Sequence, residues 1–296
     1  MALYGSIEGG GTKFACAVGS TPDDLRAEVR FPTTTPEETL GRAIEFFTGR
    51  GPLDAIGVAM FGPLNLDRES PSYGHVGPTP KPGWTNADIV GPLSGAFGIP
   101  VGFDTDVNGA ALGEGRWGAG AGLNDFVYVT VGTGIGGGVV SNGKAVHGLV
   151  HSEIGHLRIP RHPDDAFPGR CPFHGDCLEG VASGPAIADR WGMSAEDLGV
   201  DTPRAVELEA FYLGNAMANL ALVLSPQRII LGGGVMQLPG LLEATRRRML
   251  EALGGYVDSA ALERGACAYV VAPKLGGGSG IAGGLVLAER AAYLIE

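Results

Sequence analysis

The sequence predicts an α/β protein of two lobes. Three observations carry this. A strand, a glycine turn and a second strand occur twice, as I-E-G-G-G-T-K-F-A-C-A-V near the start and V-T-V-G-T-G-I-G-G-G-V-V near the middle. Alternating helical and strand patterns follow each copy, as expected of a duplicated α/β unit. The chain is 296 residues long, enough for two lobes of ordinary domain size.

Residues 3–8 and 13–18 form two short strands joined by Gly9-Gly10-Gly11-Thr12, and 25–31 forms a third, bounded by Pro-Asp-Asp before and Pro32 after. Thr35 caps a helix with Pro36 in its first turn, running to Phe47. Residues 55–60 read as a buried strand ending at Gly62-Pro63, and 65–84 as a loop rich in Pro and Gly. A helix over 88–97 and a strand over 101–103 precede Asp104-Thr105-Asp106, with a helix over 107–117 beyond. The second pattern has strands over 125–131 and 136–141, joined by Gly132-Thr133-Gly134. After a long insertion come helix 203–224, strand 228–231, helix 238–253, strand 268–272 and helix 280–294. The predicted lobes span 1–115 and 116–296, with the last helix free to return to the first lobe. Ligands are expected in a cleft between the lobes, at the strand ends.

Composition narrows the function. The chain is 44% hydrophobic and 18% charged, and its net charge of -11 argues against a nucleic-acid partner. An anionic nucleotide is still allowed, because Mg2+ and backbone dipoles hold phosphate on acidic proteins. No apolar run is long enough for a bilayer, so no membrane partner is expected. Four cysteines and no signal peptide point to the cytoplasm. The 51 glycines cluster in turns with no collagen-like period.

The insertion holds the strongest local signal. Cys171, His174 and Cys177 form C-x2-H-x2-C, and His156 stands upstream in E-I-G-H. Four such ligands close a tetrahedral zinc site, which favours a structural over a catalytic ion. Glu153 and Glu179 bracket the cluster and are left for a ligand. The competing reading is a Cys171–Cys177 disulfide, which nothing else in the composition supports.

Glycine lets backbone N–H groups approach phosphate closely, so Gly9 to Thr12 and Gly132 to Gly134 are candidate phosphate turns, each with a Thr. An ordinary hairpin is the competing reading. G-x-x-x-x-G-K-[ST] is absent, and no clear G-x-G-x-x-G opens a helix. Gly232-Gly233-Gly234-Val235 after a buried strand offers a third turn, for an adenosine or as a plain strand-to-helix connection. Asp106, at a strand end, suits a base for a substrate hydroxyl. A helix cap is its alternative role, and Asp104 could be the acid with Thr105 as the cap. Cys16 and Cys267 read as core residues of strands, and Arg246-Arg247-Arg248 as a solvated helix face. His75, His147, His151 and His162 read as surface or loop residues. Trp84 reads as the anchor of its loop, with the lining of a ligand mouth as the alternative.

Together these features resemble the ROK family of sugar kinases, within the actin-like and hexokinase-like superfamily. The matching motifs are I-E-G-G-G-T-K, D-T-D-V-N-G-A-A-L-G-E, V-G-T-G-I-G-G-G, E-I-G-H, the Cys/His knot and L-G-G-G-V, in order along nearly the whole chain. T-P-K-P-G-W and C-P-F-H-G-D-C-L-E-G are most similar to the bacterial fructokinase branch.

The resemblance implies two actin-like (ribonuclease H-like) lobes with a zinc-binding loop insertion. It makes Asp106 the general base for a sugar 6-hydroxyl. Glu153, His156 and Glu179 would bind sugar hydroxyls, Asn108 lies beside the base, and the Gly62 backbone borders the sugar. Gly10, Gly11, Thr12 and Lys13 match the first phosphate loop, Thr133 and Gly134 the second, and Gly232, Gly233, Gly234, Val235 and Met236 the adenosine loop. ATP, Mg2+ and Zn2+ are the implied cofactors, and a homodimer the implied assembly.

Three departures stand out: Glu8 where the family usually has Asp, Thr105 where Asn is frequent, and His174 where the knot usually has a third cysteine. The implied activity is phosphorylation of D-fructose by ATP, through positioning, electrostatic stabilisation and lobe closure. Alternatives are a kinase of mannose, glucose or an N-acetylhexosamine, and a non-catalytic sugar sensor of the same family. The sensors' N-terminal DNA-binding domain has no room before the first hairpin. A zinc hydrolase is disfavoured by the closed ligand set.

Overall fold

A computed structural model describes residues 2–293, in two compact units. The first comprises the chain up to Gly122, the short segment Ala145–His151 and the chain from Lys274 onward. The second comprises Leu123–Lys144 and Ser152–Pro273. No helix among the described residues is long and apolar enough to cross a membrane.

The first unit is built on β1 (Tyr4–Gly9), β2 (Lys13–Gly19), β3 (Leu25–Pro32), β4 (Ala55–Met60) and β5 (Val101–Thr105), in the order β3-β2-β1-β4-β5. β1, β2 and β3 are antiparallel neighbours, while β4 and β5 add in parallel. Ile7 pairs with Cys16 on one side and Val58 on the other, in a fully buried row. α1 (Pro36–Phe47) starts as predicted, with Thr35 Oγ1 accepting the Glu38 N–H at 3.3 Å. α2 (Val90–Phe97) begins two residues later than expected, and α3 (Asp106–Trp117) one residue earlier. Trp84 is fully buried and donates from Nε1 to the Thr34 carbonyl at 2.8 Å, anchoring its loop.

The C-terminal helix, Ser279–Tyr293, packs against β1, β4 and α3 within this unit. Leu294, its predicted end, lies outside the described residues. Small residues make this contact possible. A Cβ on Gly283 would lie 2.0 Å from the Gly109 carbonyl oxygen, so the two helix backbones touch directly.

The second unit repeats the plan with β6 (Phe126–Val131), β7 (Ile135–Ser141), β8 (Lys144–Ala145), β9 (Arg228–Gly232) and β10 (Val270–Val271), ordered β10-β9-β6-β7-β8. Counted from each unit's first strand, both sheets run third, second, first, fourth, fifth. The duplication suspected from the two hairpins therefore extends to sheet topology. α4 (Leu178–Ala182) and α5 (Gly184–Trp191) follow the insertion, and α6 (Thr202–Leu224) and α7 (Leu241–Leu253) pack on each other.

Three expectations need correcting. The strand predicted over 268–272 shrinks to two residues, and Cys267 before it is exposed rather than core, while Cys16 is buried. α7 begins at Leu241 instead of 238, because Val235–Gln237 forms a 3-10 turn and Gly240 takes φ +79°. The three arginines are not a uniformly solvated face. Arg246 Nε donates to the Val270 carbonyl at 2.8 Å and Arg248 lies 4.4 Å over the Phe211 ring, leaving Arg247 exposed.

Candidate functional site

In the first unit the corner between β5 and α3 resolves the choice among Asp104, Thr105 and Asp106 as helix cap. Thr105 is the cap, with Oγ1 accepting the Asn108 N–H at 3.2 Å. Asp104 is 4% exposed and fully engaged. Its Oδ1 accepts from Thr105 N and from Asn108 Nδ2, both at 2.8 Å, and its Oδ2 lies 2.9 Å from His147 Nε2. Asp106 is the first helical residue, half-buried, and its Oδ1 accepts the Val107 N–H at 2.9 Å.

The Gly9 to Lys13 turn closes with Gly10 N donating to the Lys13 carbonyl at 2.9 Å, and Gly11, Thr12 and Lys13 are exposed. Glu8 at the end of β1 is mostly buried, and a Cβ on Gly280 would lie 2.4 Å from its Cδ. Burial, followed by the nearby charge of Asp106, raises the Glu8 carboxyl above its ordinary pKa. Gly62 is covered by His151, whose ring would meet a Cβ there at 3.4 Å.

In the second unit Gly132 N donates to Gly134 O at 2.9 Å, and Gly184 N donates to Gly132 O at 2.8 Å. Thr133 is exposed at the tip. Gly233 takes φ +101°, and a Cβ there would lie 2.2 Å from the Val131 carbonyl oxygen. This position therefore requires glycine, and it brings the Gly232 to Met236 turn against the end of β6. Glu179 Oε2 accepts the Ile135 N–H at 2.9 Å, next to Gly134. Glu153 is exposed, and its carbonyl accepts the His156 N–H at 3.0 Å.

The four predicted metal ligands converge. The Nδ1 of His156 lies 3.7 Å from Cys171 Sγ and 3.5 Å from Cys177 Sγ, and His174 Nδ1 lies 3.6 Å from Cys171 Sγ. All four donor atoms lie within 4.8 Å of one another. A tetrahedron with metal–sulfur bonds of about 2.3 Å and metal–nitrogen bonds of about 2.0 Å has sulfur–nitrogen edges of about 3.5 Å. The cluster thus matches the size of a zinc site. Both thiols are free rather than joined in a disulfide. Burial pushes the Cys177 thiol up to about 11, an unfavourable setting for a thiolate unless a cation compensates it.

Sequence reasoning missed two contributors. His147, read as a surface residue, binds Asp104. Glu114, fully buried, accepts from Ala119 N, Lys274 N, Leu275 N and Ser279 Oγ, and so fixes the approach to the C-terminal helix. The signals for Glu114 were a charged residue on the apolar face of a helix and its place at the end of the D-T-D-V-N-G-A-A-L-G-E motif.

Comparison with known proteins agrees with these motifs. The ROK family model matches residues 4–291. A fructokinase from Zymomonas mobilis is 49% identical over 98% of this chain and 97% of its own length. A fructokinase from Pediococcus pentosaceus is 42% identical over 98% of both. A ROK family glucokinase from Streptomyces griseus, solved with glucose and AMPPNP, superposes with a TM-score of 0.77 at 26% identity, over 98% of this chain and 100% of that one. The actin-like α/β fold implied by the motifs is the fold of this chain.

Proposed function

The chain belongs to the ROK family, and we infer that it is an ATP-dependent fructokinase, transferring the γ-phosphate of ATP to the 6-hydroxyl of D-fructose. The observation that carries this is the near-full-length identity to fructokinases, joined to the convergence of the Cys/His cluster.

Asp106 is the base. The hexose 6-oxygen attacks the γ-phosphorus, the bond from that phosphorus to the ADP oxygen breaks, and Asp106 takes the hydroxyl proton. Asp104 does not compete, since its oxygens already hold Thr105, Asn108 and His147. In the second unit Glu153, His156 and Glu179 bind sugar hydroxyls, and in the first Asn108 and the Gly62 backbone do so. The Gly10 to Lys13 and Thr133–Gly134 turns receive phosphate, and Gly232 to Met236 the adenosine. ATP is used with Mg2+, towards which Glu8 and Asp106 are the available carboxylates of the first unit.

His156, Cys171, His174 and Cys177 would hold zinc, whose contribution is to stiffen the loop that carries Glu153 and Glu179. We further propose a cytoplasmic homodimer.

ADP release with Mg-ATP, measured on fructose, mannose, glucose and N-acetylmannosamine in turn, tests the reading. Strongest turnover on fructose is expected. A clear preference for another hexose would move the substrate, and no release with any would refute the kinase.

A further inference from the structure

After Lys144, within β8, the chain leaves the second unit for the short segment Ala145–His151, which belongs to the first. Two histidines one helical turn apart in sequence make its polar contacts. His151 Nε2 lies 3.4 Å from Leu64 N, beside Gly62, and His147 Nε2 lies 2.9 Å from Asp104 Oδ2.

The second contact has a chemical consequence. A carboxylate only accepts hydrogen bonds, so the nitrogen facing it must carry hydrogen. His147 therefore donates from Nε2, and the side-chain bond to Asp104 raises the imidazole pKa accordingly. The same rule orients Asn108. Its Nδ2 faces Asp104 Oδ1 at 2.8 Å, which turns Oδ1 the other way. Asn108 is 1% exposed, and its Oδ1 has no hydrogen-bond partner among the described residues. A buried amide oxygen without a donor is rare and costly, and a ligand hydroxyl would satisfy it.

We propose that His147 is a positioning residue for the hexose: through Asp104 it locks the Asn108 amide so that the sugar meets an oxygen acceptor rather than an N–H donor. The inference rests on the reading of Asn108 as a sugar contact. With His147 removed, Asp104 keeps the Thr105 and Asn108 donors on Oδ1 but loses the one on Oδ2, so the carboxylate is held from one side only and the Asn108 amide is directed less firmly. The nucleotide should notice little of this, because among the described residues no hydrogen bond joins the Gly10 to Lys13 turn to the three residues.

The test is steady-state kinetics of His147→Ala, His147→Gln and the unmodified protein, varying fructose and ATP separately. His147→Ala is expected to raise the fructose KM about tenfold, the scale of one hydrogen bond to a charged group, with the ATP KM within twofold. His147→Gln, whose amide N–H can reach Asp104, should recover most of the loss. An unchanged fructose KM in His147→Ala overturns the proposal. So does an equal rise in both KM values that His147→Gln fails to relieve, which is the mark of general disruption. If His147→Ala does not fold, His147→Asn, whose amide is too short to reach, takes its place in the same comparison. An unmodified protein that phosphorylates no hexose overturns the kinase reading, and this inference with it. Activity on fructose with an indifferent His147 overturns the inference alone.

Discussion

Glu179 Oε2 accepts the backbone N–H of Ile135 at 2.9 Å, so the residue two positions after Cys177 is tied to the turn at Gly132 to Gly134. One carboxylate thus links the Cys/His cluster to the glycine turn proposed to receive phosphate, within the second unit. Loosening the cluster should be felt at Glu179.

Purified protein is expected to hold one zinc per chain by elemental analysis, and Cys177→Ala is expected to lose it. Removing one ligand leaves three, and the loop over 153–179 loses its fixed geometry. The fructose KM should rise at least tenfold, in step with a lower Tm. Unchanged sugar affinity in zinc-free protein would contradict the link.

Glu114 supports the first unit from α3. Its oxygens accept from Ala119 N at 2.6 Å, Ser279 Oγ at 2.8 Å, Leu275 N at 2.9 Å and Lys274 N at 3.1 Å. Glu114→Ala strands these donors, and a cost of about 3 kcal/mol or more is expected. Denaturant titration measures it. A loss under 1 kcal/mol would show that water replaces the carboxylate at no great cost.

Glu209 predicts a pH dependence of stability. It is buried on α6, with Oε1 bonded to Arg190 at 3.3 Å and Oε2 unpartnered among the described residues. Burial pushes its carboxyl up to about 8, against the opposing charge of Arg190 and with Asp165 adding to the rise. Asp165 also holds Arg161 and Tyr212 in this network. A carboxyl with a raised folded pKa binds its proton more tightly in the native state, so stability falls as pH rises from about 4.5 through about 8. Thermal unfolding between pH 6 and pH 9 should show Tm falling by a few degrees. Glu209→Gln should flatten that slope. A Glu209→Gln slope identical to the parent's would exclude Glu209 as its source.

Much of this was legible in the sequence, for identifiable reasons. Gly9 to Thr12, the Thr35–Pro36 cap and C-x2-H-x2-C are local patterns whose physics is complete within a few residues. The hairpin, the Thr35 cap and the convergence of the Cys/His side chains all appear in the structure. The His147–Asp104 pair joins residues 43 apart, and the Glu114–Lys274 bond spans 160. Neither partner carries a local sign of the other, so pattern reading leaves a loop histidine and an odd helical acid. Cys267 fails for a related reason. Apolar neighbours suggested a buried strand, but the strand is only Val270–Val271, and before it Cys267 and Ala268 are exposed while Ala266 and Tyr269 are buried. Arg246 and Arg248 look solvated because a helical wheel does not show that Val270 and Phe211 lie within reach of their long side chains.

Asp106 is proposed as the base of a fructose kinase. ADP release by Asp106→Asn with saturating fructose and Mg-ATP tests it most directly, with circular dichroism and Tm confirming the fold. The amide keeps the size and the bond to Val107 N but cannot take a proton. Turnover should drop at least a hundredfold with native stability, the lower bound expected for loss of a general base. Turnover within tenfold of the unmodified protein would contradict the account.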